Sequence, residues 1–299
     1  MGQVYNIDSY IPLDKSWMIR VGVLDIFNGK DGIVRFLESY QKERALSDDL
    51  QALLRCTKAW NQGKTLDVGE SATLYRFLQY YCWENCLDRK FRLHGTLVER
   101  AANSICDDPS IVTWPLERLK KQDKGTSQWP SARYIDGNHE RVPDPQPKLQ
   151  LTYDSVAHWE KRTKQGKCWD PRYDETLRRQ ALAYFGLLRT GKMDFVPEHS
   201  EDYCFARAFK LITPKQGRKL WPQLQDQESK RVTHLEDVIR LANRGELIDS
   251  RDHRVVQAIV MSQRARKLPV KIADKNVVNK SWPEFWDFIV YSEVMRGQD

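Results

Sequence analysis

Helix-period apolar patterns alternate along this chain with short apolar runs and glycine- or proline-marked breaks, and this interleaving constrains the fold most. Between Lys15 and Phe27 the apolar positions Trp17, Met18, Val21, Val23, Leu24 and Phe27 fit a helix, with Asp14 as its N-cap and Gly29 past its end. Leu50, Leu53, Leu54 and Ala59 repeat at helical spacing between Asp48 and Trp60, and a third helix is expected over Thr73–Trp83, after Gly69. Short strands are expected at Thr65–Val68 and Lys90–His94, a loop over Gly137–Pro147, a strand at Lys148–Tyr153 and a helix over Tyr173–Phe185. The end reads as a strand at Val270–Ala273 and a helix over Pro283–Met295. Such interleaving predicts α/β (α+β) rather than an all-α bundle.

Composition narrows the function classes only partly. A chain of 299 residues, 30% charged and 40% hydrophobic, can bury a sizeable core in one large or two ordinary domains. No apolar run is long enough to span a bilayer, and the N-terminal stretch lacks a basic-then-apolar signal pattern, so a cytoplasmic protein away from membranes is expected. Met-Gly at the start suggests a myristoylation site, but Asn6 stands where Ser or Thr is needed. The six cysteines form no C-x-x-C pair; Cys82 and Cys86 lie one helical turn apart, and reduced, mostly buried thiols are expected rather than a metal clip. A formal charge of +7 favours an anionic partner. The 41 acidic residues are interspersed with the 48 basic ones, and no nucleic-acid motif appears; a small polyanion explains the surplus as well as nucleic acid does, and composition alone does not decide.

Several short blocks carry a more specific signal. Asp252-His253-Arg254 opens an apolar helical segment, and Lys280-Ser281-Trp282-Pro283-Glu284-Phe285 follows. Earlier lie Leu13–Arg20, Asp67–Arg76, Thr126–Ser131 and Gln227–Arg231. Weaker blocks are Gly95 with Glu99-Arg100, Arg172–Leu177 and Val196–Tyr203. In order and residue type these blocks resemble the 5-enolpyruvylshikimate-3-phosphate (EPSP) synthase family of enolpyruvyl transferases, over nearly the whole chain.

The resemblance implies two lobes of repeated βαβαββ units: residues 14–190, and 1–13 plus 191–299 with the C-terminal lobe reduced by about one unit. Segments near Pro12–Lys15 and residues 188–196 would be the hinge. It implies transfer of the enolpyruvyl (carboxyvinyl) group of phosphoenolpyruvate (PEP) to the 5-hydroxyl of shikimate 3-phosphate or a related acceptor, with release of phosphate. That reaction belongs to the shikimate pathway of aromatic amino acid biosynthesis. Lys15 and Glu228 would move protons. Ser16, Arg20, Thr126, Ser127 and Gln128 would hold shikimate 3-phosphate. Lys15, Ala72, Arg100, Gln128, Arg231, Arg254 and Lys280 would surround PEP. These types suit dense negative charge, since guanidinium groups form bidentate pairs with carboxylate and phosphate and lysines act as point charges. Neither a metal nor an organic cofactor is implied.

The chain also departs from the family. Glu70 and Ala72 stand where Asn and Gly are usual, Gln227 and Lys230 replace a lysine and an aspartate, and His199-Ser200-Glu201 replaces Asp-Trp-Ser. The stretch that carries a catalytic aspartate has no counterpart between Tyr203 and Glu228. The alternative is a degenerate homologue that binds an anionic ligand or a partner protein; a second polypeptide supplying the missing stretch also fits. Taken singly, Arg76 and Arg100 read as surface partners of Glu70 and Glu99, and Trp129, Trp282, Phe285 and Trp286 as packing residues.

Overall fold

A computed structural model describes residues 6–101, 107–122, 127–137, 149–221, 224 and 231–296, with the side chains of 99–101 outside that set. The described chain divides into two compact units, Leu13–Arg172 and a second made of the N-terminal residues to Pro12 with Tyr173 onward. The first unit contains α1 (Lys15–Phe27), α2 (Gly32–Gln41), α3 (Asp48–Trp60), β1 (Leu66–Gly69), α4 (Ala72–Glu84), β2 (Phe91–Leu93), α5 (Gly95–Ala101), α6 (Leu116–Gln122), α7 (Gln128–Ile135) and α8 (Gln150–Lys164). The second contains α9 (Glu175–Thr190), α10 (Tyr203–Ala208), α11 (Pro214–Leu220), α12 (Arg231–Asn243), β3 (Leu247–Ile248), α13 (His253–Ala265), β4 (Lys271–Ile272) and α14 (Phe285–Met295).

This architecture overturns the expected α/β fold of repeated βαβαββ units. About 65% of the residues are helical and 5% lie in strands. The described strands form two parallel pairs. Leu66 faces Phe91 and Gly69 faces Leu93 across an irregular step, and Leu247 faces Lys271. Each pair brackets one helix, α4 or α13, as a β-α-β crossover, and neither sheet grows beyond two strands among the described residues. Two to four residues per strand bury too little apolar surface to organise a domain, so helix packing does so instead.

The segment expected as a strand at Lys148–Tyr153 shows why. Lys148 lies outside the described residues, and α8 starts at Gln150. Its buried residues Thr152, Ser155, Val156 and Trp159 fall at helical spacing, a period that a six-residue window cannot display. Of the expected Gly137–Pro147 loop, only Gly137 is described.

Each unit is built around a helix buried on almost every side. In α1 every residue from Trp17 to Ile26 is buried, within an apolar cluster that includes Leu53, Leu54, Leu74, Phe77 and Trp129. Gly22 permits the close approach of α3: a methyl group there would meet Leu53 at 2.8 Å. The counterpart is α13, buried from Val255 to Gln263. Its apolar faces pack against Leu177, Tyr184, Phe205, Trp282 and Phe285 on one side and Val232, Leu235 and Val238 on another. Trp129, Trp282 and Phe285 are fully buried core, whereas Trp286 is partly exposed. Among the described residues, no helix is long and apolar enough to cross a membrane.

Candidate anion-binding sites

In the first unit the sequence blocks meet through buried polar contacts. Asp14 caps α1 by accepting the backbone N–H groups of Ser16 and Trp17 at 3.0 and 3.1 Å. Lys15, the first helical residue, reaches Asp49 on α3 at 2.7 Å. Arg20 lies one turn further in and is 9% exposed. Its guanidinium donates to the Ser16 carbonyl at 2.8 Å and to the Thr152 hydroxyl at 2.9 Å, 5.4 Å from the centre of the Phe77 ring. Thr152 donates in turn to Ser131 Oγ at 2.9 Å, and Ser131 donates to the Ser127 carbonyl at 2.7 Å. This relay runs from α1 through α8 to the start of α7.

Ser127, with φ of +56°, is an uncommon non-glycine residue in the left-handed region, and it immediately precedes α7. Gln128 then opens the helix. Its side-chain oxygen accepts from Arg76 and its nitrogen donates to Thr73 Oγ1 at 2.7 Å, which joins the start of α7 to the first turns of α4. Arg76 is 2% exposed, so its reading as a surface partner of Glu70 is corrected. The Glu70 carboxylate instead accepts from Thr96 at 2.8 Å. Ala72 is the first residue of α4.

The first unit therefore brings together Lys15, Ser16, Arg20, Ala72, Ser127 and Gln128 around the N-terminal ends of α1, α4 and α7. Helix N-termini carry partial positive charge, which here adds to that of Arg20 and Arg76, while Lys15 is paired with Asp49. Arg100 lies on α5 with its side chain outside the described residues, and Thr126 lies outside them altogether. Sequence reasoning missed Asp49 and Thr152. Asp49 carried a signal as an acid in the first turn of α3, whereas Thr152 sat in the segment misread as a strand.

The second unit brings Arg231 and Arg254 to the start of α13. Asp252 caps that helix, accepting from the backbone N–H groups of Arg254 and Val255 at 3.0 and 3.4 Å. It also takes the Arg231 guanidinium at 2.7 Å. Burial alone would push the Asp252 carboxyl up, but Arg231 and then His253 hold it well below the ordinary carboxylate range. Burial opposes the charge of Arg231 likewise, and Asp252 outweighs that, so the guanidinium stays protonated. Arg254 pairs with Glu201 at 2.8 Å, and Gln257 donates to Ser281, beside Lys280, at 3.0 Å. Glu228 lies outside the described residues.

The thiols bear out the buried reading in part. Cys56, Cys82 and Cys204 are buried free thiols, each pushed up to about 12 chiefly by burial, while Cys86 and Cys168 are exposed. Among the described residues, no group of three or more His, Cys, Asp or Glu side chains is placed to hold a metal ion. Compared with known proteins, the chain matches no family model, no curated protein and no solved structure.

Proposed function

We propose that the chain binds a small phosphorylated or carboxylated acid at the N-terminal ends of α1, α4 and α7. The observation that carries this reading is the buried relay from Arg20 through Thr152 and Ser131 to Ser127, with Arg76 and Gln128 beside it. In that relay two guanidinium groups donate to neutral oxygens at three helix starts, and helix starts favour anions. Shikimate 3-phosphate and PEP are the ligands that the sequence blocks point to, and both have the required charge. Calorimetric titration of the full chain with each acid, and with inorganic phosphate, tests the reading. One site is expected, weakened about tenfold or more in Arg20→Met, the order of loss for a charged hydrogen bond. Arg254→Met, in the other unit, should leave it nearly unchanged. Absence of saturable binding for all three probes, or equal losses in both variants, would sink it.

A second reading keeps enolpyruvyl transfer as the activity. The observation that favours it is the position of Lys15, expected to move protons, at the first turn of α1 and held at 2.7 Å by Asp49. Phosphate release from PEP and shikimate 3-phosphate, abolished in Lys15→Ala and Glu228→Ala, is the expected result. Binding without phosphate release would leave the first reading standing alone.

A further inference from the structure

The opposite ends of the same three helices meet at a second place in the first unit. Asn28, Asn85 and Asp136 are the C-caps of α1, α4 and α7, and all three line one cleft of about 330 Å³. A helix C-terminus presents carbonyl groups and partial negative charge. Each such end alone is commonplace; here three meet on one cleft, with Asp136 and Glu160 in its wall. Among the described residues no lysine or arginine lines it, although the chain as a whole carries +7.

The remaining wall is aromatic and aliphatic. Phe27 and Tyr81 stack with ring centres 3.7 Å apart and planes 11° from parallel. The Trp159 indole is fixed by its N–H donating to the buried Asp25 carboxylate at 2.7 Å. The Asn85 amide donates to Asp136 at 3.2 Å and so holds one acidic oxygen in place. Burial first, and then the Asp136 carboxylate, raises the Tyr81 phenol above its usual range. The Lys30 ammonium, which does not line the cleft, lies 4.9 Å from the centre of the Trp159 ring, so this indole already attracts a cation of the chain.

We propose that this cleft binds a small organic cation, an ammonium or guanidinium on a compact apolar body. The charge would rest against the aromatic rings, with Asp136 and Glu160 as counter-ions. Aromatic faces attract such soft cations. A hard metal ion instead demands six or more oxygen ligands, and this wall offers rings in their place. An anion would face two carboxylates and three carbonyl-bearing helix ends. The unit is thus polarised along α1, α4 and α7, with opposite charges favoured at its two ends.

Benzyltrimethylammonium is a suitable probe, followed by tryptophan fluorescence of the full chain, with benzenesulfonate and calcium as controls. Saturable binding in the millimolar range or tighter is expected for the cation alone. The double variant Asp136→Asn, Glu160→Gln should weaken it about tenfold or more, with helical circular dichroism unchanged. The single variant Glu160→Gln should show an intermediate loss, and serves if the double variant fails to fold. Equal binding of benzenesulfonate, a preference for calcium, unchanged affinity in the variants, or no saturable binding would each overturn the proposal.

Discussion

The helices α1 and α13 begin alike and differ in what holds the charges beside them. Both start after an aspartate that caps two backbone N–H groups, Asp14 in one case and Asp252 in the other. Both are then buried nearly all round. Beside α13 the cations close onto carboxylates, Arg231 on Asp252 and Arg254 on Glu201. Beside α1, Arg20 donates into a line of hydroxyls that ends on a carbonyl, and Arg76 donates to an amide oxygen. A carboxylate cancels the charge of its partner at short range, whereas a hydroxyl relay orients a guanidinium without cancelling it. The start of α13 thus reads as a clasp; at α1 Lys15 also closes onto a carboxylate, Asp49, and the hydroxyl relay is what sets Arg20 apart.

Burial by itself does not separate the two cases. Arg133 is 2% exposed, and it too donates to neutral oxygens: the Tyr80 hydroxyl at 3.0 Å and the Ile111, Val112 and Trp114 carbonyls at 2.7–3.3 Å. It ties the turn at Pro109–Thr113 to α7 and needs no ligand to explain it. What distinguishes Arg20 and Arg76 is their acceptors: Ser16, Thr152 and Gln128 lie in the first turns of α1, α8 and α7, where backbone N–H groups add to the same field.

The comparison breaks first, and hardest, at Asp252. Asp252→Ala removes the α13 cap and leaves Arg231 without its carboxylate in a largely buried setting, and should cost about 3–5 kcal/mol in urea unfolding. The milder Asp252→Asn should retain the cap and expose the pH linkage. Because the folded carboxyl is held below its ordinary range, its contribution is fully present above about pH 4 and is lost as pH falls towards the folded value. Wild type should therefore lose stability more steeply with acid than Asp252→Asn does. Equal acid slopes would show that the clasp does not depend on this charge.

Thr152→Val is the matching change in the other unit. The variant keeps the shape of a fully buried side chain but removes the acceptor of Arg20 Nε–H and the donor to Ser131. Leaving such buried groups unsatisfied should cost about 1–3 kcal/mol, less than Asp252→Ala because no carboxylate is lost. Anion affinity should fall with it, since Arg20 is no longer oriented. If stability drops while affinity holds, the relay is only packing.

How much of this was legible depended on range along the chain. The boundaries of α1 and α3 could be read from Asp14 and from the spacing of Trp17, Met18, Val21 and Leu24, all local signals. The β1, β2 and β4 segments were also found near their true places. The error was to extend such pieces into sheets: strand growth depends on distant partners, and nothing near Leu66 or Leu247 states how many will come. Thr152 escaped notice because its role exists only across helices, and Arg76 because an arginine in an otherwise polar block carries no mark of burial. Asp252 next to Arg254 was visible, yet its bond to Arg231 spans all of α12 and β3.

Ser127 offers the finest test, with the smallest expected effect. Its φ of +56° is costly for a side chain with a Cβ, and its hydroxyl makes no capping bond to α7. Only its carbonyl is needed by the relay, as the acceptor from Ser131. Ser127→Gly should therefore relieve strain and stabilise the chain by up to about 1 kcal/mol, partly offset by the greater freedom of glycine in the unfolded chain. If the hydroxyl contacts the bound acid, the same variant should bind the acid more weakly while melting higher. A gain in stability with unchanged affinity would assign Ser127 to the turn alone. A loss of stability would show that the hydroxyl has a structural partner, and the strained backbone would then be its consequence rather than a feature of the anion site.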